Sequence, residues 1–335
     1  MNRPVPADTK LLICVWHPFT LWRPPADVAV QVRKHWPEMR VLHLPTYDRM
    51  EAELPDVDIF VGYSLRPQQF LLAKKLKWIH STAAGVGQLM FPELKASSVG
   101  VTNASGIHTV PMAEHILGTL VALARHFPDC VRYQAAHHWA QQEIWDKPLR
   151  PRELAGQTLL IIGFGAIGRE LARRVRPLGM QIWAMTRSGT GDASLADRIL
   201  PVAQLDAVIY QADYVVLAAP ETPETHHMIG AKQLAAMKPT AYLINVARGT
   251  LVDEAALIEA LEKRAIAGAA LDVTSEEPLP AESPLWGLEN VFITPHMSAA
   301  SEYLWDRQTD LLLQNLERWF SGRELINRVD LQRGY

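Results

Sequence analysis

The stretch from Thr158 to Arg169 constrains the fold of this chain more than any other. An apolar run with strand character, 158–162, leads into Gly163-Phe164-Gly165-Ala166-Ile167-Gly168 and then into a helical pattern of apolar residues. Gly163 would make a tight turn, Gly165 would let the backbone approach a pyrophosphate, and Gly168 would let the helix pack closely on the strand. Because N–H groups at a helix start attract phosphate, and because a second strand is predicted over 181–185, this stretch predicts a dinucleotide site.

Composition and charge narrow the class of protein. A length of 335 residues suggests two domains, and the formal net charge of −3 provides no basic surface for nucleic acid or for an anionic membrane. Cys14 and Cys130 have neither metal-ligand spacing nor a disulfide framework, which is typical of a reducing compartment. No apolar run reaches membrane-spanning length, and no signal peptide is visible. We therefore expect a cytoplasmic protein with no nucleic-acid, membrane or metal partner.

Short strands and helices alternate along the whole chain, which predicts an α/β protein with two doubly wound parallel sheets. Strands are predicted at 11–16, 40–44, 58–62, 77–80, 99–102, 158–162, 181–185, 214–218, 242–246, 267–273 and 291–294. We expect a Rossmann-type dinucleotide-binding domain, 107–297, inserted in a discontinuous flavodoxin-like substrate domain. A last helix predicted over 302–319 would return to that domain, so its predicted residues are 1–106 and 298–335.

A long and almost wholly apolar helix is predicted over 112–125, opened by Pro111 and ended by Pro128. A helix that is apolar on all sides is buried, often between domains or between subunits. The following residues, 129–155, are rich in Trp, His and Gln and are predicted to form a packed arm. The helix and the arm together indicate a contact between subunits.

Three polar residues follow predicted strands of the second domain. Arg248 follows the strand at 242–246, Glu277 follows 267–273, and His296 follows 291–294. Parallel sheets of this class bind ligands at the carboxyl ends of their strands. A guanidinium can hold a carboxylate through two hydrogen bonds, and a histidine paired with a carboxylate can act as an acid or base. Each residue alone could be an ordinary loop residue, but the three together predict an active site.

At these motifs the chain resembles the D-isomer-specific 2-hydroxyacid dehydrogenases, and among them most nearly the glyoxylate/hydroxypyruvate reductases. Beside the glycine motif, the resemblance is carried by Ala83–Val86, Ala113–His115, Pro223–His226, Asn245–Asp253 and the run from Ala270 to Pro278. It implies that Arg248, Glu277 and His296 are the catalytic trio. It also implies that the chain forms a homodimer through the long helix and the arm.

The resemblance further implies where the ligands bind. Substrate contacts would come from the backbone near Ala84, Gly85 and Val86 and from the side chains of Arg248 and His296. Cofactor contacts would come from the whole glycine motif, Gly163, Phe164, Gly165, Ala166, Ile167 and Gly168, and from Thr186, Arg187, Ser188, Ala219, Pro220, Thr225, Val246, Ala247, Arg248, Asp272, His296, Ser298 and Ala299. One departure is Gly87, which stands where the family often has Asp.

The end of the second cofactor-domain strand predicts NADP(H) in preference to NAD(H). Enzymes that use NAD place a carboxylate there to bind the ribose 2′-hydroxyl, whereas this chain has Thr186 and no carboxylate before Asp192. Arg187 can donate two hydrogen bonds to a 2′-phosphate, and Ser188 can donate a third. The alternative is that Arg187 stacks on adenine, as an arginine does in some NAD enzymes.

The expected reaction is reduction of a small 2-oxo acid, such as glyoxylate or hydroxypyruvate, to the D-2-hydroxy acid. Hydride would come from the nicotinamide and the proton from His296, with Glu277 stabilising the imidazolium. One alternative is a bulkier acid such as phenylpyruvate, for which Gly87 leaves room. Another is a nucleotide-sensing, corepressor-like binding protein. A formate enzyme of this fold is disfavoured, because such enzymes carry glutamine in place of this glutamate.

Overall fold

The computed structural model describes residues 6–333 of the chain. The chain divides into two compact units, Met1–Ile107 with Ala300–Tyr335, and His108–Ala299. Each unit is built on one sheet in which all strand pairs are parallel. The predicted fold class is therefore confirmed. The assignment of the two units to substrate and cofactor stays a prediction.

The first unit has a five-stranded sheet with strand order β2-β1-β3-β4-β5. Its strands are β1 (Lys10–Cys14), β2 (Arg40–Leu44), β3 (Ile59–Gly62), β4 (Trp78–Ser81) and β5 (Gly100–Thr102). The helices between them are α1 (Ala26–His35), α2 (Met50–Glu53), α3 (Pro67–Leu72) and α4 (Pro92–Lys95). Strands β1, β3 and β4 are buried along their whole length, and burial on both faces explains why β3 reads as an apolar run in the sequence.

The second unit has a seven-stranded sheet with strand order β12-β11-β10-β9-β6-β7-β8. Its strands are β6 (Thr158–Ile162), β7 (Gln181–Thr186), β8 (Arg198–Pro201), β9 (Tyr214–Leu217), β10 (Tyr242–Asn245), β11 (Gly268–Leu271) and β12 (Val291–Ile293). Its helices are α5 (Thr109–Ala124), α6 (Phe127–Ala135), α7 (Gln141–Trp145), α8 (Ala166–Val175), α9 (Leu205–Val208), α10 (Ala231–Ala236) and α11 (Glu254–Glu262). The sequence did not predict β8, because this edge strand is short and only partly buried.

In each sheet, the side chain of an aspartate joins the amino ends of two neighbouring strands. In the first unit, the backbone N–H of Lys10 in β1 donates to Asp58 Oδ2 at 3.1 Å. In the second unit, the backbone N–H of Thr158 in β6 donates to Asp213 Oδ2 at 2.8 Å. Each aspartate stands directly before the neighbouring strand. The amino ends of these strands are therefore held level, and the loops at their carboxyl ends emerge along one edge of each sheet.

The prediction that Pro128 ends the long helix is wrong. Helix α5 ends at Ala124, and the break is made at His126, whose φ of 58° lies in the left-handed region. Pro128 lies in the first turn of α6, where its missing N–H costs no helical hydrogen bond. Within this chain the arm is packed only in part, since Val131, Trp139 and Trp145 are exposed, Trp139 to 89%, whereas Leu149 and Leu154 pack against an apolar cluster of the second unit.

The last helix, α12 (Leu304–Ser321), packs on the first unit. Leu312 and Leu316 lie in one apolar cluster with Leu11 and Ile13 of β1. The first unit is therefore made of two separate segments of the chain. Within residues 6–333, no helix combines the length and the apolar character needed to cross a membrane.

Candidate active site

The glycine motif lies between β6 and α8, and each glycine has its own structural reason. A Cβ on Gly163, whose φ is 99°, would lie 2.5 Å from the backbone of Ala218, and a Cβ on Gly168 would lie 2.5 Å from the Gly163 carbonyl oxygen. A Cβ on Gly165, the N-cap residue of α8, would meet nothing within 4 Å. Two glycines thus allow close packing and the third faces open space. This fits a phosphate that approaches the backbone at the start of the helix.

The loop after β7 has no carboxylate at its start. The hydroxyl of Thr186 donates to the Thr190 carbonyl at 3.0 Å, and the hydroxyls of Ser188 and Thr190 lie 2.6 Å apart. The first carboxylate, Asp192, accepts hydrogen bonds from the backbone N–H and the hydroxyl of Ser194. Arg187 is exposed. The loop is therefore ordered by its own hydroxyls, with Thr186 where enzymes that use NAD have an acid and the cation of Arg187 directly after it.

His296 and Glu277 form a close pair although they are 19 residues apart in sequence. His296 Nδ1 lies 2.6 Å from Glu277 Oε2, and Glu277 Oε1 accepts from the Thr274 backbone N–H at 3.2 Å. Because a carboxylate only accepts, Nδ1 carries the proton in this bond. The imidazole is about half exposed. The opposite ring nitrogen, Nε2, is therefore the one left for a substrate.

Arg248 lies on a loop after β10 that the Asn245 side chain holds by two hydrogen bonds. Asn245 Nδ2 donates to the Arg248 carbonyl at 2.9 Å, and Asn245 Oδ1 accepts from the Ala247 N–H at 3.0 Å. A Cβ on Gly249 would overlap the Thr274 backbone, so this loop packs directly against the segment that binds Glu277. Strands β10, β11 and β12 are neighbours in the sheet, and the trio follows their three carboxyl ends.

Asp272 organises the loop that carries His296. Its side chain is fully buried and accepts from the Thr294 hydroxyl at 2.6 Å and from the backbone N–H groups of Met297 and Ser298, both at 3.0 Å. Burial alone would raise the pKa of Asp272, but the hydrogen bonds from Ser298, Thr294 and Met297 outweigh it and hold the pKa below its usual value. Sequence spacing alone did not signal this network.

The remaining predicted contacts lie on loops at strand ends. Ala219, Pro220 and Thr225 follow β9, where the Thr225 hydroxyl donates to the Pro220 carbonyl at 2.8 Å. Val246 and Ala247 follow β10 and are buried. Ala84, Gly85 and Val86 follow β4 in the first unit, where Ala84 and Gly85 are exposed and Val86 is buried. The predicted substrate contacts are therefore divided between the two units. Their roles stay predictions.

No group of three or more His, Cys, Asp or Glu residues in the described part of the chain is arranged to hold a metal ion. The expectation that the reaction needs no metal stays a prediction. The paired histidines of the arm, His137 and His138, do not form such a group. The Nε2 of His138 instead lies 2.6 Å from the Glu143 carboxylate.

Comparison with known proteins agrees with this geometry. The model of the NAD-binding domain of D-isomer specific 2-hydroxyacid dehydrogenases matches residues 117–298. The glyoxylate reductase of Pyrococcus furiosus is 35% identical over 291 residues, which are 84% of this chain and 85% of that protein.

Solved structures show the same fold. A D-isomer specific 2-hydroxyacid dehydrogenase family protein from Aeromonas salmonicida superposes with a TM-score of 0.83 at 31% identity, covering 97% of this chain and 99% of that one. An NADPH-dependent glyoxylate/hydroxypyruvate reductase from Sinorhizobium meliloti, in complex with NADP and sulfate, superposes with a TM-score of 0.81 at 25% identity, covering 98% and 100%. The chain belongs to the D-isomer-specific 2-hydroxyacid dehydrogenase family and is an NAD(P)-dependent oxidoreductase.

Proposed function

We propose that this enzyme reduces a small 2-oxo acid of the glyoxylate/hydroxypyruvate type to the D-2-hydroxy acid, with NADPH as the preferred cofactor. The observation that carries the proposal is the His296–Glu277 pair, with Nδ1 and Oε2 2.6 Å apart, on a strand end next to that of Arg248. Similarity to a glyoxylate reductase and to a glyoxylate/hydroxypyruvate reductase supports the substrate class.

In this proposal, the glycine motif and the loop after β7 hold the dinucleotide. The N–H groups at the start of α8 bind the pyrophosphate, since Gly165 leaves the approach to them open. Arg187 and Ser188 bind the 2′-phosphate of the adenosine ribose. A bound reduced nicotinamide supplies the hydride.

His296 donates the proton in this mechanism. Glu277 accepts from Nδ1, which orients the ring and stabilises the imidazolium, and Nε2 donates to the carbonyl oxygen of the 2-oxo acid. The carbonyl carbon gains a hydride and its oxygen gains a proton, so the product is a hydroxy acid and the imidazole is left neutral. Proton uptake from solvent then restores the imidazolium.

Arg248 holds the substrate carboxylate and the carbonyl oxygen. A planar guanidinium can donate to both groups at once and stabilises the negative charge that develops on the oxygen. The backbone N–H groups near Ala84 and Gly85, two exposed residues of the first unit, stay predicted donors to a substrate carboxylate. Gly87, also exposed, limits the size of the acid less than an Asp would.

Steady-state comparison of 2-oxo acids tests the proposed function. Glyoxylate and hydroxypyruvate should give higher kcat/KM values with NADPH than phenylpyruvate, measured as loss of NADPH absorbance. If phenylpyruvate exceeded both by about tenfold, or roughly 1.4 kcal/mol in transition-state binding, the ranking would be reversed in favour of a bulky acid.

Removal of Arg187 tests the cofactor preference. We expect Arg187→Ala to weaken NADPH binding by about 2–3 kcal/mol, the scale of hydrogen bonds to a charged group, and to leave NADH binding nearly unchanged. Binding is measured by titration of each cofactor. Arg33→Ala, which removes an exposed arginine in α1 of the first unit, is the charge-matched control and should affect neither cofactor. A wild-type enzyme with a higher kcat/KM for NADH would contradict the proposed preference.

We also propose that two copies pair through α5 and the arm. The arm exposes Val131, Trp139 and Trp145, and Phe127 just before it is exposed too, each by more than half of its surface. Exposed apolar surface concentrated in one segment is typical of a protein interface. Sedimentation equilibrium of the purified chain, which reports its mass in solution, tests this pairing.

A further inference from the structure

The backbone at His296 is held in an uncommon conformation. Its φ of 47° lies in the left-handed region, which is uncommon for a residue with a side chain. The His296 N–H donates to the Asp272 carbonyl at 2.9 Å and to the Thr294 carbonyl at 3.0 Å. The direction in which the imidazole leaves the chain therefore depends on contacts outside the histidine itself.

The Asp272 carboxylate provides the next contacts. It accepts the N–H groups of Met297 and Ser298, the two residues that directly follow His296. One of its oxygens also accepts the Thr294 hydroxyl, two residues before His296, at 2.6 Å. The same carboxylate thus binds the chain on both sides of the histidine, and its buried position makes these hydrogen bonds costly to break.

A second histidine extends this network to α5. His115 Nε2 lies 3.3 Å from Thr294 Oγ1 and 4.0 Å from the Asp272 carboxylate. Because the Thr294 proton goes to a carboxylate, which only accepts, His115 Nε2 must be the donor to the Thr294 oxygen. Burial lowers the pKa of His115, although the nearby Asp272 carboxylate acts to raise it. The ring is therefore neutral near neutral pH and carries its proton on Nε2.

We propose that His115 and Thr294 are positioning residues, which hold the Asp272 carboxylate so that the His296 imidazole stays in its reactive orientation. The chain of donors runs from His115 Nε2 to the Thr294 hydroxyl and on to Asp272. It links helix α5 to a loop 179 residues further along the chain. This inference rests on the proposed function, because it assumes that His296 donates the proton.

Thr294→Val is the first test, because valine keeps the shape of threonine and removes only the hydroxyl. We expect kcat with NADPH and glyoxylate to fall roughly 10- to 100-fold, since a small displacement of a reacting group is that costly. The Kd of NADPH and the melting temperature should change little. Thr294→Ser restores the hydroxyl and should recover most of kcat. Thr119→Val is the control. It makes the same change at a buried threonine of α5, one turn after His115, and should leave kcat unchanged.

His115 is tested by a second pair of variants. His115→Leu removes the donor and should lower kcat, whereas His115→Gln, whose amide nitrogen can donate to Thr294, should retain more of it. If the two residues act in one chain, the double variant Thr294→Val/His115→Leu should lose little more than Thr294→Val alone, because both changes interrupt the same chain.

Two results would overturn the inference. The first is wild-type kcat in both Thr294→Val and His115→Leu. The second is a loss of NADPH affinity in Thr294→Val as large as the loss of kcat, which would mean that the hydroxyl supports the unit as a whole.

His296→Asn is run in parallel to separate this inference from the proposed function. An active His296→Asn would refute the proposed proton donor, whereas an inactive one beside fully active Thr294→Val and His115→Leu would refute the positioning role alone.

Discussion

Replacement of His296 with asparagine is expected to lower kcat by about 10²–10⁴-fold, which is the contribution of a well-placed acid or base. Asparagine keeps hydrogen-bonding capacity near Glu277 but cannot deliver a proton to a carbonyl oxygen. The loss should fall on kcat, measured as oxidation of NADPH in the presence of glyoxylate. This change has the largest expected effect because Nε2 of His296 is the donor of the proton in the proposed mechanism.

The control for this prediction is binding of the cofactor. NADPH affinity of His296→Asn should stay near the wild-type value, since the phosphates are proposed to bind at the glycine motif and at Arg187. Glu277→Gln is the companion variant, because it keeps the size of the side chain and removes the charge that stabilises the imidazolium. It should also lower kcat, although the imidazole remains. Near-normal turnover of His296→Asn would rule out His296 as the acid.

Arg248→Lys is expected to lower kcat/KM by about 10²–10³-fold, the cost of losing a group that stabilises a developing oxyanion. Lysine keeps the positive charge, but an ammonium cannot donate to a carboxylate and a carbonyl in one plane as a guanidinium does. Both parameters should change, with KM raised because the carboxylate is held less well and kcat lowered because the alkoxide is stabilised less. Initial rates over a range of glyoxylate concentrations separate the two.

Arg173→Lys provides the matched control, since Arg173 is an exposed arginine of α8 that pairs with Glu170. The same conservative change there should leave both kinetic parameters unaltered. A value of kcat/KM close to that of the wild type in Arg248→Lys would show that charge alone is sufficient. The proposal that the Arg248 guanidinium donates to both the carboxylate and the carbonyl oxygen would then be wrong.

Much of the fold could be predicted because its strands are buried on both faces. Strands such as β6, with every residue from Thr158 to Ile162 buried, read as continuous apolar runs between turn signals. The edge strand β8 escaped prediction because Arg198 is exposed and the other residues are half-buried. The prediction from Pro128 was wrong because a proline can either end a helix or lie in the first turn of one. The break between the two helices is instead at His126.

The candidate site was predictable only in part. Sequence position identified Arg248, Glu277 and His296 as polar residues after three strands, and the resemblance to a family implied that they form a catalytic trio. In the structure the Glu277 carboxylate reaches His296 Nδ1. Sequence position could not show this contact, because it depends on how the loop after β11 turns toward a histidine 19 residues further along the chain.

The sequence by itself determined the features that one short segment can specify. The glycine motif specifies a turn and a helix start, the missing acid after β7 specifies the charge of that loop, and apolar runs specify buried strands. Such features depend on local backbone geometry and on the solvation of each side chain, which follow from residue type. Only the tertiary structure decided that His115, Thr294 and Asp272 meet beside His296. Hydrogen bonds between segments so distant in sequence exist only after the packing of α5, β11 and β12 has brought the donors within reach.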